Sequence, residues 1–242
     1  LDNVKQPCLY YNSGSRKKKP LLIVLHSWRY NYKQNQNIPY AYWCKKKDWV
    51  FLQPNFRGKN NTVKSTCSKY AIQDILDALK YVKSKANIDS RRVYLTGYSG
   101  GAMAALVLAG KYPDLWAGVV SWGPVYDLSS FYFYAKYSKK RRSYARAIKK
   151  ICGGVPRKNS QAYYNAMSRS PKAYLKYARG KKIKIYLATG IYDSFVPVRQ
   201  LLNAYNDLAM EQRIFKEDIL YIDQLKKIPQ PLKNKYPDTY FR

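Results

Sequence analysis

Histidine is nearly missing from this sequence, and acidic residues are few. The 242 residues contain one histidine, His26, and 14 aspartate or glutamate residues against 45 lysine or arginine residues. Zinc sites draw mainly on histidine and cysteine, and the four cysteines form no C-x-x-C pair, so a single histidine argues against a zinc site. We expect neither a metal ion nor a cofactor.

Long apolar runs are also lacking. No run approaches the roughly 18 residues that indicate a transmembrane helix, so no transmembrane segment is predicted. The sequence starts at Leu1 and shows no basic stretch followed by an apolar one, so we expect a removed leader or a fragment. The apolar share of 46% allows a sizeable core and is not typical of a disordered chain.

The shortage of acidic residues leaves a formal net charge of +31, and residues 128–192 contain 17 lysine or arginine residues with no aspartate or glutamate. The functional interpretation is a surface for an anionic polymer, such as nucleic acid or an anionic glycan, or for lipid headgroups. The alternative is compositional drift, because lysine, asparagine and tyrosine are abundant together. No nucleic-acid-binding motif accompanies the charge, so no specific nucleic-acid partner is predicted.

Short apolar runs alternate with helical patterns, which predicts an α/β fold with a mostly parallel, doubly wound sheet. The predicted strands cover 20–25, 49–54, 91–97, 116–122 and 181–190, and the predicted helices cover 70–86, 101–113 and 198–212. The basic, tyrosine-rich segment 126–180 is too long for a simple crossover. We interpret it as a helical insertion over the carboxyl ends of the strands, where open α/β sheets bind ligands. Without repeats or low-complexity linkers, residues 1–242 are predicted to form one domain.

The stretch TGYSGG at 96–101 predicts a nucleophile. Ser99 follows a predicted strand and precedes a predicted helix, and this context distinguishes a nucleophile elbow from a chance G-x-S-x-G match. Small neighbours allow the chain to reverse sharply around the serine. The alternative is a glycine-rich turn in another α/β fold.

Partners for Ser99 follow from the chain order serine, acid, histidine of α/β-hydrolases. Asp193 comes after a later strand and a glycine, so it is the candidate acid. The oxyanion donors should be the amide of Gly100 and an amide after an earlier strand, from Ser27 or Trp28, of which we select Trp28. His26 precedes the serine, so we expect it to shape this loop rather than to act as the base.

The sequence resembles the prolyl oligopeptidase family of serine hydrolases, in a compact form without a β-propeller. The resemblance extends along nearly the whole chain and rests on these stretches: PLLIVLHSW, PNFRGKN, IQDILDA, YLTGYSGG, YPDLWAGVVSW, CGG and GIYDSFVP. It implies an α/β-hydrolase fold, Ser99 as nucleophile, Asp193 as acid, hydrolysis through an acyl-enzyme, and a periplasmic or secreted setting. It also implies a histidine in a loop after the final strand.

That histidine is not among the 242 residues, and the C-terminal strand and its loop are also expected to be absent. We expect the base to lie beyond residue 242; the alternative is a hydrolase that has lost it. Either way, the chain as given should be nearly inactive, because losing one triad member costs about 10⁴- to 10⁶-fold in turnover.

Two functions remain open. The first is a serine hydrolase for an ester or a peptide bond, with Trp122 and Tyr126, and also Phe131 and Tyr132, as candidate pocket walls or plain core residues. Its basic rim would favour substrates with carboxylate or phosphate groups. The second is an inactive protein of the same fold that binds an anionic partner through its basic surface.

The cysteines permit two disulfides or four free thiols. Cys67 precedes the first long helix and Cys152 lies in the insertion, and both loops should meet near the mouth of the site. We therefore predict a Cys67–Cys152 disulfide, which requires Cα atoms within about 7 Å.

Overall fold

Six strands form one sheet within residues 1–233, the part of the chain that the computed structural model describes. The strand order is β1-β3-β2-β4-β5-β6, with β1 antiparallel to β3 and the other neighbours parallel. The strands are β1 (Cys8–Tyr11), β2 (Lys19–Leu25), β3 (Val50–Pro54), β4 (Ile88–Tyr98), β5 (Gly118–Trp122) and β6 (Lys184–Ala188). The sheet confirms the predicted α/β-hydrolase class.

Helices cover both faces of the sheet. They are α1 (Ile38–Lys47), α2 (Lys69–Lys85), α3 (Gly100–Lys111), α4 (Leu128–Ala135), α5 (Arg142–Cys152), α6 (Gln161–Met167), α7 (Arg199–Leu208), α8 (Lys216–Leu225) and α9 (Gln230–Lys233). Every residue of β2 is buried. Because side chains alternate between the two faces of a strand, β2 is covered on both faces of the sheet. Ile23 joins the large core cluster with α2 and α3, whereas Leu22 packs with Cys44 of α1.

The carboxyl ends of the central strands are aligned. Leu25 of β2 pairs with Gly97 of β4, and Tyr98 pairs with Trp122 of β5, which in turn pairs with Ala188 of β6. The loops that follow β2, β4, β5 and β6 therefore emerge side by side at one edge of the sheet, where ligands bind in this fold class.

The insertion between β5 and β6 is helical, as predicted, and contains α4, α5 and α6. Its α5 end reaches the loops at the carboxyl edge of the sheet. Arg29, after β2, donates to Ser143 Oγ at 2.8 Å, and Arg141 donates to the carbonyl oxygen of Ser194, after β6. These contacts place the insertion over the strand ends.

The predicted Cys67–Cys152 disulfide is wrong, because the structure has both residues as free thiols. Both lie in the core beside Arg169, and burial raises the pKa of Cys67 to about 12 and that of Cys152 to about 11. The Arg169 guanidinium donates to the carbonyl oxygens of Ser65 and Val63, each at 2.8 Å. The insertion is thus tied to the loop before α2 by hydrogen bonds rather than by a covalent link.

Candidate active site

Ser99 occupies a strained turn between β4 and α3. Its φ of 54° and ψ of −113° lie in a region that side-chain-bearing residues rarely adopt, and such strain costs about 1–3 kcal/mol. The backbone holds the strain on both sides: the Ser99 amide donates to the Trp122 carbonyl at 2.8 Å, and the Ser99 carbonyl accepts from the Met103 amide at 2.9 Å. Ser99 thus has the strained strand-to-helix turn that the predicted elbow requires.

Glycines are required around Ser99 because neighbouring backbone segments nearly touch. A Cβ on Gly97 would lie 2.4 Å from the carbonyl carbon of Gly101, and a Cβ on Gly101 would lie 2.2 Å from the Leu25 carbonyl oxygen. The first turn of α3 therefore packs directly against the end of β2, which brings Ser99 close to the loop that begins at His26.

Asp193 lies in the turn after β6, as predicted for the acid. Its Oδ1 accepts hydrogen bonds from the amides of Phe195 at 2.7 Å and Val196 at 3.1 Å, so the carboxylate is fixed. Its Oδ2 lies 3.5 Å from the position that a Cβ on Gly123 would occupy. Gly123 directly follows Trp122, whose carbonyl binds the Ser99 amide, so the serine and acid loops meet across the end of β5.

Tyr98 lies between these loops. Its side chain is 54% exposed, and its Cε2 is 3.7 Å from the same Cβ position on Gly123. Desolvation raises the pKa of Tyr98, and the charge of Asp193 raises it further. The hydroxyl therefore stays protonated at neutral pH and does not serve as the base.

The two predicted oxyanion donors come together. Gly100 begins α3, so its amide belongs to the first turn and has no acceptor within the helix. The Trp28 amide nitrogen lies 2.9 Å from the position of a Cβ on Gly100, and this amide has no acceptor among residues 1–233. The Ser27 amide instead donates to Gln34 Oε1 at 2.7 Å, so Trp28 is the available donor of the two.

Asn60 is a polar residue of the site that the sequence analysis missed. It is 1% exposed, and its Oδ1 accepts from the Thr66 amide at 2.8 Å. Its Nδ2 has no partner among the described residues and lies 3.1 Å from the Cβ position on Gly100. A buried side-chain donor therefore lies close to Gly100, as the Trp28 amide nitrogen does. Spacing alone could not have singled out Asn60 within PNFRGKN.

His26 is buried beneath this loop and stacks on Phe56 with ring centroids 3.9 Å apart. Its Nδ1 and Nε2 each lie 3.2 Å from a carbonyl oxygen, of Ser27 and Asn55 respectively. Burial lowers the pKa of His26 and outweighs the two carbonyls, which favour the charged form. The structure confirms that His26 shapes the loop, and its ring is not free to accept the Ser99 proton.

The neutral state of His26 predicts sensitivity to acid. Because its folded pKa is lower than its unfolded value of about 6.5, its contribution to stability is full above pH 6.5 and is lost as the pH falls toward the folded pKa. We expect the free energy of unfolding in urea to decrease from pH 7.5 to pH 5.5, by at most about 1.4 kcal/mol per pH unit. A His26→Gln variant that folds should lose this slope; an unchanged slope would contradict the assignment.

The predicted wall residues separate into two groups. Trp122 is half-buried and lines cavities beside the elbow. The prediction of Tyr126 as a wall is wrong, because its side chain is buried and its hydroxyl donates to Asp207 Oδ2 of α7 at 2.6 Å. Phe131 and Tyr132 are buried residues of α4 and belong to the core.

Two cavities flank Trp122. The larger, about 750 Å³, is an apolar groove along the sheet face beside α1, lined by Trp49, Tyr94 and Tyr186 among others. The smaller, about 300 Å³, is lined by Ser27, Tyr98 and Trp122 among others.

Within residues 1–233, no group of three or more His, Cys, Asp or Glu side chains is arranged to hold a metal ion. The same part of the chain contains no helix with the length and apolarity needed to cross a membrane.

Curated proteins with similar sequences align with part of the chain. Feruloyl esterase B of Talaromyces stipitatus is 51% identical over 43 residues, which are 18% of this chain and 12% of that protein. An uncharacterized peptidase of Bacillus subtilis, YtmA, is 26% identical over 91 residues, which are 38% of this chain and 33% of that protein. The aligned regions thus span a third or less of these relatives.

Solved structures share the fold at low sequence identity. The acylaminoacyl peptidase of Pyrococcus horikoshii matches 85% of this chain and 33% of its own, with a TM-score of 0.66 and 18% identity. The acetyl xylan esterase of Paenibacillus sp. R4 matches 84% of this chain and 69% of its own, with a TM-score of 0.64 and 18% identity. The model of the prolyl oligopeptidase family matches residues 36–221, most of the chain. Because this match covers more than half of the sequence, the chain belongs to the prolyl oligopeptidase family.

Proposed function

We propose that the chain is a serine hydrolase that cleaves an ester or a peptide bond through an acyl-enzyme on Ser99. The observation that carries the proposal is the strained Ser99 turn, which presents the serine beside the amides of Gly100 and Trp28, neither with an acceptor within residues 1–233. The similar proteins include both peptidases and esterases, and the same nucleophile and donors serve either bond.

In this reaction, Ser99 Oγ attacks the substrate carbonyl carbon while a base takes its proton. The amides of Gly100 and Trp28 donate to the oxyanion that forms. The intermediate collapses, the C–O or C–N bond breaks, and the leaving alcohol or amine takes the proton. The same base then activates a water molecule, which attacks the acyl-enzyme. This step releases the carboxylic acid product and restores Ser99.

Asp193 would orient that base, which in this family order is a histidine. The 242 residues supply only His26, whose ring nitrogens face the carbonyls of Ser27 and Asn55. We therefore expect these residues alone to turn over slowly, since a triad lacking its base loses about 10⁴- to 10⁶-fold in rate.

A fluorophosphonate probe tests the nucleophile. We expect slow labelling at Ser99, mapped by mass spectrometry of the digested protein, and no labelling of Ser99→Ala. The exposed Ser90 gives a matched control, because Ser90→Ala should label like the parent chain. Labelling that persists in Ser99→Ala would refute the proposal, and rapid labelling of the parent chain would mean that a residue of this chain already supplies the base.

Asn60 would strengthen the oxyanion site. Its Nδ2 is held by the Thr66 contact and faces Gly100 without an acceptor. Since losing one oxyanion donor costs about 10²- to 10³-fold, we expect Asn60→Ala to slow Ser99 acylation by about 10². The exposed neighbour Asn61 provides the control, and Asn61→Ala should leave the rate unchanged. Equal rates for both variants would remove Asn60 from the site.

The second candidate function, binding of an anionic polymer, is favoured by one surface. The outer side of α5 carries four exposed cations, Arg142, Arg146, Lys149 and Lys150. We expect retention on heparin that weakens steeply with salt, because such binding releases counterions. Retention that is unchanged at about 1 M salt would contradict an electrostatic origin.

A further inference from the structure

Arg57 is an arginine that lies buried between two carboxylates. It follows β3 in the segment 55–60, and its side chain is 8% exposed. Its Nη1 and Nη2 donate to the two oxygens of Asp2, each at 2.7 Å. Its Nε and Nη2 donate to the two oxygens of Asp74 on α2, at 2.7 and 3.0 Å. The guanidinium thus joins α2 to the N-terminal arm, residues 2–7, and paired bonds of this kind fix its direction as well as its charge.

The backbone at Arg57 has a conformation that residues with a side chain rarely adopt. Its φ is 73°, and that of the next residue, Gly58, is 63°. Glycine adopts such a φ freely, but arginine does so only where the surrounding contacts impose it. The Arg57 amide donates to Gln6 Oε1 at 3.1 Å, and Asn55 Nδ2 donates to the same oxygen at 3.0 Å. The arm and the guanidinium bonds together therefore fix the path of segment 55–60.

This segment lies directly against the loop that begins at His26. The Asn60 amide donates to the Trp28 carbonyl oxygen at 2.8 Å. Phe56 stacks on the His26 ring, and the Asn55 carbonyl oxygen lies 3.2 Å from its Nε2. The start of the segment thus supports the imidazole under the loop, and its end holds the backbone of Trp28.

The Trp28 amide is one of the two donors expected at the oxyanion, and its position has little tolerance. Such a donor must lie about 2.7–3.1 Å from the oxygen, and a misplacement of about 1 Å costs about 10²-fold in rate. The amide itself has no acceptor among residues 1–233. Its direction therefore depends on the contacts of its neighbours, and the Asn60 bond to the Trp28 carbonyl is one of these.

We propose that Arg57 is a positioning residue for the oxyanion site, because it fixes segment 55–60 between Asp2 and Asp74 and thereby holds the backbone of Trp28. The inference rests on the proposed function, since it requires an acyl-enzyme on Ser99. It links the N-terminal arm to the reaction rate. The alternative is a role in stability alone, in which the bonds tie the arm to α2 without any effect on the oxyanion donors.

Two esters that differ in one atom distinguish these roles. p-Nitrophenyl acetate develops its negative charge on oxygen, whereas p-nitrophenyl thionoacetate, with C=S in place of C=O, develops it on the larger sulfur. Donors placed for an oxyanion are too close for sulfur, so the ratio of the two acylation rates reports the geometry of the donors. Both rates are measured on the 242-residue protein with added imidazole, by release of p-nitrophenol, after subtraction of the rate with Ser99→Ala.

We expect Arg57→Met to slow acylation by the oxygen ester by about 10- to 100-fold and to slow the thiono ester less, so that the ratio falls. Arg57→Lys should recover part of the ratio, because lysine keeps the charge but cannot bind both carboxylates in the same forked geometry. If Arg57→Met does not fold by circular dichroism, Asp2→Asn replaces it. This change frees one side of the guanidinium and leaves its ion pair with Asp74 intact, and the ratio should again fall.

Two control variants separate this effect from other consequences of mutation. Lys64 is the exposed second partner of the Asp2 carboxylate, at 2.9 Å, and Lys64→Met should leave the ratio unchanged. Ile75 is fully buried next to Asp74 on α2. Ile75→Val should therefore lower the stability in urea, because it removes a buried methylene group, and should leave the ratio unchanged.

A ratio in Arg57→Met, or in its replacement, equal to that of the parent chain would overturn the inference and leave Arg57 with a role in stability. An equal fall of the ratio in Ile75→Val would also overturn it, since general destabilisation would then explain the effect. If the parent chain is acylated no faster than Ser99→Ala, the hydrolase proposal fails and this inference fails with it. Acylation that depends on Ser99, with the same ratio in every variant, defeats the role of Arg57 alone.

Discussion

Imidazole added to the 242-residue chain should accelerate hydrolysis of p-nitrophenyl acetate through Ser99. The chain holds the loops of Ser99 and Asp193 close together. Its one imidazole ring, that of His26, contacts two backbone carbonyls instead and is not free to act between them. A general base contributes about 10²- to 10⁴-fold, so we expect an imidazole-dependent rate about 10² above that of Ser99→Ala in the same buffer. The rates are measured by release of p-nitrophenol, with free imidazole subtracted.

Replacement of Asp193 provides the second arm of this experiment. Asp193→Asn should lose much of the acceleration, because the added ring would no longer be oriented by a carboxylate. Asp114, exposed after α3, is the matched control, and Asp114→Asn should respond like the parent chain. An imidazole-dependent rate that survives in Ser99→Ala would show that the elbow is not the reacting group.

Gly101→Ala should unfold the protein or displace the elbow. The new Cβ would meet the Leu25 carbonyl oxygen at 2.2 Å, and both partners are backbone, so neither can rotate away. We expect a loss of about 3 kcal/mol or more in the free energy of unfolding, measured by urea denaturation, together with loss of fluorophosphonate labelling.

Gly190 gives the comparison for this substitution. The nearest atom to a Cβ there is the Asp193 amide nitrogen at 3.9 Å, an ordinary contact, so Gly190→Ala should change stability by about 0.5 kcal/mol or less. Similar stabilities for the two variants would mean that α3 can move away from β2 without loss of stability. That result would contradict the inference that close backbone packing holds the elbow rigid.

Most of the residues at the carboxyl edge of the sheet could be predicted from the sequence, because short local patterns indicate them. A continuous apolar run predicted β2, and the turn at 96–101 predicted Ser99, since strand, glycines and helix follow each other directly. Asp193 followed from chain order alone. Strand β1 was missed, because it is short and half-buried, and its partner within residues 1–233 is β3, which lies far along the chain.

The parts that could not be predicted depend on distant partners. The placement of Asn60 depends on its contact with Thr66 and on the approach of Gly100, which no spacing in the sequence reveals. Tyr126 was misjudged for the same reason, because its neighbour Asp207 lies on α7, far along the chain. Aromatic residues after a strand fit a pocket wall and a core position equally well until their partners are known.

The burial of His26 and the cysteines also fixes the electrical behaviour of the chain. Histidine, cysteine and the α-amino group are the groups that ordinarily titrate between about pH 6 and 9. Here burial lowers the pKa of His26 and raises the pKa of all four thiols. These five side chains therefore add little to the change in charge between about pH 6 and 8, which is small beside the formal net charge of +31. Elution from a cation exchanger should therefore depend mainly on ionic strength and only weakly on pH over these two units.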